Sequence, residues 1–452
     1  MLTARRTTGL VFFPAFDWAI DPRHPEREER LLYTQDQVFE EGLFDIPGIR
    51  EFKPDLASIE DVRRVHFCAP DETAVTTESH FISAGGTLAV ARRVMSREVE
   101  RGFALVRPPG HHAMRLVHGS RGFCNINMEA IMVEYLRSVH GIKKIAIVDT
   151  DCHHGDGTQD IYWHDPDVLF ISLHQDGRTL YPGSGFVNEQ GGPNAHGLTV
   201  NIPLPPKTGE DGFLYTIEHM VMPILADFGA ELVINSAGQD NHFADPITNM
   251  NFSAQGYARL TDMLNADIAV LEGGYSIEGA LPYMNLGIVL AMAGMDYSRV
   301  REPNYTPESV RQEDAVTNYI RRLRDKILML WERREEDGAA ARKGKTVEER
   351  TRSIYYDTDN IIEKQRERLR ICGDCGGAVQ IDSASDVRRA PRIRCVHIPV
   401  SACEACQKQG REWFDAAGEL DADLVLLQNR PEDRWEERLL NKSFGPRPAP
   451  GK

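Results

Sequence analysis

Over roughly the first 300 residues, short apolar runs alternate with longer stretches of helical spacing. The clearest run, Ile145-Ala146-Ile147-Val148, is apolar at every position, as expected of a strand buried on both faces of a parallel sheet. The runs 167–174 (DVLFISLH), 230–240 (AELVINSAGQD) and 266–275 (ADIAVLEGGY) repeat this pattern, each closing on polar residues. Shorter apolar runs at 103–106 and ahead of Pro14 predict two more strands. Between these runs, spacing predicts helices over 22–45, 83–101, 128–139, 216–229 and 251–265, the last capped by Ser253. Residues 58–68 read as helix or strand. Alternation of this kind predicts an α/β fold around a parallel sheet, with ligands gathered at the carboxyl ends of the strands.

From about residue 314 the pattern changes. Residues 314–370 are rich in Arg, Glu, Lys and Ala, with a break at GAAARKGKT, and read as one or two exposed charged helices. The expected division is therefore a catalytic domain at 1–313, a charged helical linker at 314–370, a cysteine-bearing module at 371–414 and an extension and tail at 415–452. The extension holds one strand-like run, LVLLQ. Its Pro/Gly-rich end, KSFGPRPAPGK, has the composition of a disordered segment.

Composition narrows the function classes. Hydrophobic residues make up 41% of 452, enough for a large core, and a net charge of −16 argues against nucleic acid or an anionic membrane as a bulk-charge partner. No apolar run approaches the length of a membrane span. Arg5 and Arg6 ahead of an apolar run loosely mimic an export signal, but Pro14 and the lack of a small-residue cleavage site favour a first sheet strand. A cytoplasmic protein is expected, and homo-oligomerisation is left open.

The chemistry starts in 143–159, KKIAIVDTDCHHGDGTQ. Asp151 and His153 are two apart and share a side in extended chain, so together they can offer a metal a carboxylate and an imidazole. Asp240 is either a third ligand or a cap on the segment after it. His111 and His112, in RPPGHHA, read either as a base and its electrostatic partner or as core histidines, with Asp149 and Asp156 placed to hydrogen-bond two imidazoles. Tyr275, after Gly273 and Gly274, is a candidate oxyanion donor or a plain strand-end tyrosine. Phe123 and Tyr181, each in a glycine-flanked loop, wall an apolar channel or fill the core.

In this order, RPPGHHA, GFCNIN, DTDCHHGDGTQ, SLHQDGRTLYPGSG, NSAGQD and LEGGY resemble the zinc-dependent histone deacetylase superfamily, over roughly residues 10–300. GQD and LEGGY are closer to its class II branch and to bacterial histone deacetylase-like amidohydrolases. The resemblance implies the arginase/deacetylase fold, with about eight parallel strands and helices on both faces. It implies catalytic zinc on Asp151, His153 and Asp240. It makes His112 the general base and acid, His111 its partner, Asp149 and Asp156 their acceptors, and Tyr275 the oxyanion donor. A potassium site would involve Asp149, Asp151, His153, Ser172 and Leu173. The substrate tunnel would be lined by Phe123, Tyr181, Gly122, Gly273 and Ile247. The implied reaction is hydrolysis of an acyl-amide, foremost acyl-lysine in proteins. The alternatives are an acetylpolyamine or other small-molecule deacylase and a non-catalytic acyl-lysine-binding scaffold. Tyr181 stands where the family usually has phenylalanine, and Ile247 where polyamine-specific relatives carry a glutamate. The family's rim aspartate has Asp71 as its candidate.

Cys372-Gly-Asp-Cys375 and Cys403-Glu-Ala-Cys406 have the spacing of a four-cysteine zinc ribbon, with reduced thiols or a redox pair as the alternative. Cys395 lies between the pairs and is not expected to be a ligand. The ribbon resembles small zinc-finger modules of bacterial regulators. Arg388, Arg389, Arg392 and Arg394 would give it a basic edge.

Overall fold

In a computed structural model, which describes residues 2–441, eight strands form one sheet. From edge to edge they are Ile49–Phe52, Thr8–Phe13, Arg101–Val106, Ile268–Leu271, Leu232–Ala237, Ile145–Asp149, Val168–Gln175 and Thr199–Leu204. Every pairing is parallel, as the alternating pattern predicts. Neighbouring residues of a strand serve opposite faces: Leu10, Phe103 and Ala146 join one core, and Val11, Ala104 and Ile147 the other. Helices Ala254–Leu264 and Leu281–Met292 cover the first face, and Glu78–Met95 and Met128–His140 the second.

The strand order creates the site. After Arg101–Val106 the chain skips a two-strand gap before Ile145–Asp149, and the gap is filled later by Leu232–Ala237 and Ile268–Leu271. Four carboxyl ends thus lie side by side at a reversal of strand order, where open α/β sheets leave a crevice. In register, Asp149 stands opposite both Ser172 and Ser236, and Leu271 opposite Ala237.

Three elements give no signal of their own in the sequence. Ile49–Phe52 is an edge strand with Arg50 and Glu51 exposed. Thr199–Leu204 is the other edge and contains Pro203, which only an edge tolerates. Leu281–Met292 is buried almost all round, so it lacks a polar stripe. The helix expected at 22–45 is broken into short turns between Glu28 and Phe39.

The expected charged helical linker needs correction. Asp314–Arg342 is one helix running through the GAAAR segment, and Ile320, Leu323, Ile327 and Trp331 bury one side of it in the main core. The next part is not helical. Val347–Tyr356 and Ile361–Arg370 form a long antiparallel hairpin. Its second strand alternates strictly, but the buried positions include Glu363, Gln365 and Glu367, so hydrophobic periodicity could not reveal it. The hairpin begins a six-stranded sheet continued by Val379–Ser385, Ile393–Ile398, Leu424–Asn429 and Arg434–Leu439. The cysteine pairs are therefore borne on a sheet that begins before 371 and ends after 414. Cys395 is buried in a separate cluster from the other four cysteines. The tail KSFGPRPAPGK lies outside the described residues.

Candidate active site and metal centres

Asp151 and His153 follow the strand Ile145–Asp149, Asp240 follows Leu232–Ala237, and Tyr275 follows Ile268–Leu271. One ligand atom from each of Asp151, His153 and Asp240 lies within 4.8 Å of the others, and all three residues are buried. His153 Nδ1 is 2.8 Å from Asp240 Oδ2 and 3.2 Å from Asp151 Oδ1. A Cβ on Gly273 would come within 2.5 Å of Asp240 Oδ2 and 2.6 Å of Asp151 Oδ2, so glycine is what leaves room here.

Two buried carboxylates this close repel each other. Burial and the neighbouring Asp151 push Asp240 up to about 6. Burial works against His153 as a cation, but Asp240 and Asp151 raise it to about 10. The cluster therefore favours positive charge at its centre. A dication fits the same donor set, two hard oxygens and one imidazole nitrogen, and relieves the same repulsion.

The histidine pair comes from the loop after Arg101–Val106. His111 Nδ1 is 3.0 Å from Asp149 Oδ2, and His112 Nδ1 is 2.7 Å from Asp156 Oδ1. The rings are 4.1 Å apart between centroids, yet their charge states diverge. Burial opposes a charge on His111, but Asp151 and Asp149 overcome it and hold the ring well above the ordinary imidazole value. Burial, and then the positive His111, lower His112 to about 3. The two rings are thus pulled in opposite directions, the carboxylates favouring charge on His111 while burial and His111 disfavour it on His112. Burial also pushes the Tyr275 hydroxyl well above its usual range, so it remains a donor.

Aromatic rings gather beside these groups. Phe123 meets Tyr275 edge-on at 5.8 Å, and Tyr181 meets His112 edge-on at 5.2 Å. Gly122 has a φ of 51°, and a Cβ there would lie 2.4 Å from the His112 ring and 3.0 Å from Tyr181. Ile247 is half-buried in the loop beyond, its N–H donating to Asp245 Oδ1 at 3.0 Å. Ser172 bonds His174 through its hydroxyl, and Leu173 lies in the core; sheet register is what sets Ser172 beside Asp149. Asp71 caps the helix Glu72–Val75 by accepting from the Ala74 N–H.

Several supporting groups escaped the sequence reading. Glu272 Oε2 accepts the N–H groups of Gly110 at 2.8 Å and His111 at 3.1 Å, fixing the histidine loop. Asp245 Oδ2 accepts the Tyr275 N–H at 2.8 Å. Arg30 donates to the Gly274 carbonyl at 2.9 Å and lies over the Tyr275 ring at 4.9 Å. Glu26 bridges Arg30 at 2.7 Å and Arg107 at 2.6 Å, with all three side chains fully buried. Removing one member of such a network strands a buried charge, at a cost of about 3–5 kcal/mol.

The C-terminal sulfurs of Cys372, Cys375, Cys403 and Cys406 also lie within 4.8 Å of one another. Donors surround them: Arg370 Nη1 reaches Cys406 Sγ at 3.0 Å, and the Cys403 N–H reaches Cys375 Sγ at 3.4 Å. Cys375 and Cys406 are a close pair, and the bond between them lowers the first thiol while raising the second. Donors aimed at sulfur suit thiolates on a structural zinc.

Residues 70–286 match the family described as histone deacetylase domain. A probable deacetylase of Archaeoglobus fulgidus is 45% identical over 339 residues, covering 68% of this chain and 93% of that protein. A histone deacetylase-like amidohydrolase of Pseudomonas aeruginosa is 32% identical over 252 residues, covering 54% of this chain and 65% of the relative. Among solved structures, the HDA15 HD domain superposes with a TM-score of 0.62 at 26% identity, covering 74% of this chain and 97% of that one.

Proposed function

Because the chain belongs to the histone deacetylase family, we propose that its buried cluster hydrolyses the amide of an acylated lysine. What carries this reading is the meeting of three metal-type ligands with two buried histidines, each bonded to its own carboxylate, at the carboxyl ends of the strands. Zinc held by Asp151, His153 and Asp240 would supply Lewis acidity toward the amide carbonyl and lower the pKa of water. His112 takes the proton from the attacking water, and Asp156 holds its ring in place. Tyr275 donates to the oxygen that gains charge as the carbonyl carbon becomes tetrahedral. The proton then passes from the imidazolium to the amine nitrogen as the C–N bond breaks, leaving a carboxylic acid and a free amine. The charged His111 offsets negative charge developing nearby.

The same reading includes a potassium ion among Asp149, Asp151, His153, Ser172 and Leu173, supported by the pairing of Asp149 with Ser172 in the sheet. The apolar Ile247 favours acyl-lysine over an acylpolyamine, since it offers a polyamine nitrogen no charge.

Purified protein loaded with zinc is expected to deacylate an acyl-lysine peptide in preference to acetylpolyamines, with inhibition by a hydroxamate. Protein that binds zinc at the triad yet hydrolyses neither class would end the enzyme reading. Greater turnover of polyamines would reverse the substrate assignment.

Elemental analysis is expected to find two zinc ions per chain, one on the Asp151 triad and one on the four cysteines. The double substitution Cys372→Ser/Cys375→Ser should remove one of them. A single zinc in the parent protein would eliminate the four-cysteine centre.

A further inference from the structure

The hairpin Val347–Arg370 lies beyond the residues that match the family, yet its tip reaches the candidate active site. Asp357 Oδ1 accepts the Gly122 N–H at 2.9 Å and the Tyr181 hydroxyl at 3.1 Å. Two residues on, Asp359 Oδ2 accepts the Ser120 N–H at 2.6 Å. The Tyr355 carbonyl accepts from Arg121 Nη1, and Arg121 Nε donates to Asp156 Oδ2 at 3.0 Å. Asp156 is the carboxylate that holds His112. The strand ends next to the tip are fixed as well, since Met114, Ile354, Tyr356 and Ile361 pack together and the Tyr356 hydroxyl donates to the Leu116 carbonyl at 2.8 Å.

The loop so held is one that needs holding. Phe123 has a φ of 72°, a conformation unfavourable for a bulky residue that persists where its surroundings impose it. The preceding Gly122 is also left-handed, and its N–H is the one bonded to Asp357. Asp357 also gives a use to the hydroxyl of Tyr181, which a phenylalanine there would lack.

We propose that the hairpin tip is a built part of the substrate entrance. Asp357 positions both aromatic walls, Phe123 through the Gly122 N–H and Tyr181 through its hydroxyl, and the Tyr355 carbonyl with Arg121 positions Asp156. Asp357 acts here as a positioning residue, and this assignment rests on reading the site as an acyl-amide hydrolase. The C-terminal sheet would then shape substrate binding as well as carry a metal.

The test compares Asp357→Ala with Asp357→Asn in full-length, zinc-loaded protein. Asparagine keeps an acceptor oxygen for both donors, whereas alanine removes it. The alanine variant is expected to raise KM for an acyl-lysine peptide by about tenfold, with a smaller change in kcat, and asparagine to restore KM to within about threefold of the parent. Hydrogen exchange, read on the peptide containing Ser120 and Gly122, needs no turnover. It should accelerate by about tenfold in the alanine variant and return toward the parent rate with asparagine. Unchanged exchange and KM in the alanine variant would overturn the proposal. So would equal impairment by alanine and asparagine at native exchange rates, because the carboxylate charge would then act on substrate directly. If alanine does not fold, Tyr181→Phe, which removes one donor, is expected to raise KM by about threefold, and an unchanged KM would be fatal to the claim. A parent protein that hydrolyses no amide would refute the proposed function, and the exchange measurement would still decide whether the tip holds the loop.

Discussion

Replacing His112 with alanine is expected to lower kcat by about three to four orders of magnitude, the upper part of the range for a positioned acid–base group. The size of the effect follows from its surroundings. His112 is buried and bonded to Asp156 at 2.7 Å, and burial and then the neighbouring His111 disfavour charge on its ring. With Nδ1 committed to Asp156, Nε2 is the atom left to take a proton from water and return it to a poorly basic leaving nitrogen, two roles that water fills badly in a closed site. His111→Ala should cost less, because His111 supplies charge and does not carry the transferred proton. Steady-state kinetics on the zinc-loaded variants, with metal content measured in the same samples, check both. If the His111 variant loses more than the His112 variant at equal zinc content, the roles are exchanged. A loss of fewer than about ten-fold at His112 would remove it as the base.

Much of the main sheet was legible because buried parallel strands are apolar throughout and turn polar where the crevice begins. Ile145–Val148 followed by Asp149 and Asp151 shows both halves of that signal in one stretch. Asp240 and Tyr275 were legible in a different way. Each alone reads as an ordinary strand end, and it was the order of motifs along the chain that tied them to Asp151. The structure then brings ligand atoms of Asp151, His153 and Asp240 within 4.8 Å of one another.

What stayed hidden was hidden for physical reasons. Glu26 and Arg30 sit in a charged segment that looks solvent-facing, and only tertiary packing pairs them with Arg107 inside the protein. The strand Ile361–Arg370 buries Glu363, Gln365 and Glu367 against polar partners. His164 meets Glu367 at 2.8 Å and Ser383 bonds Glu363, so an interior strand carried the composition of a surface helix. Asp357 and Gly122 are 235 residues apart, and no local pattern can report a contact across that distance. The candidate site adds a further layer of concealment, because groups held at it are polar, loop-borne and supplied by different parts of the chain.

Tyr275→Phe is expected to lower kcat by about two to three orders of magnitude while leaving zinc content and substrate KM close to those of the parent, as for loss of one oxyanion donor. Phenylalanine keeps the ring that packs on Phe123 and under Arg30, and Asp245 still accepts from the backbone N–H of residue 275. The substitution therefore removes a hydroxyl and little else. Because burial holds that hydroxyl far above its ordinary pKa, it stays protonated through the neutral range and its donor role does not titrate away. The loss should then be nearly constant between about pH 6 and pH 9, whereas loss of an acid–base group would vary with pH. Turnover and KM measured across that range separate the two cases. A raised KM with kcat intact would make Tyr275 a ground-state binding residue, and a deficit that shrinks at one end of the pH range would give it a proton-transfer role.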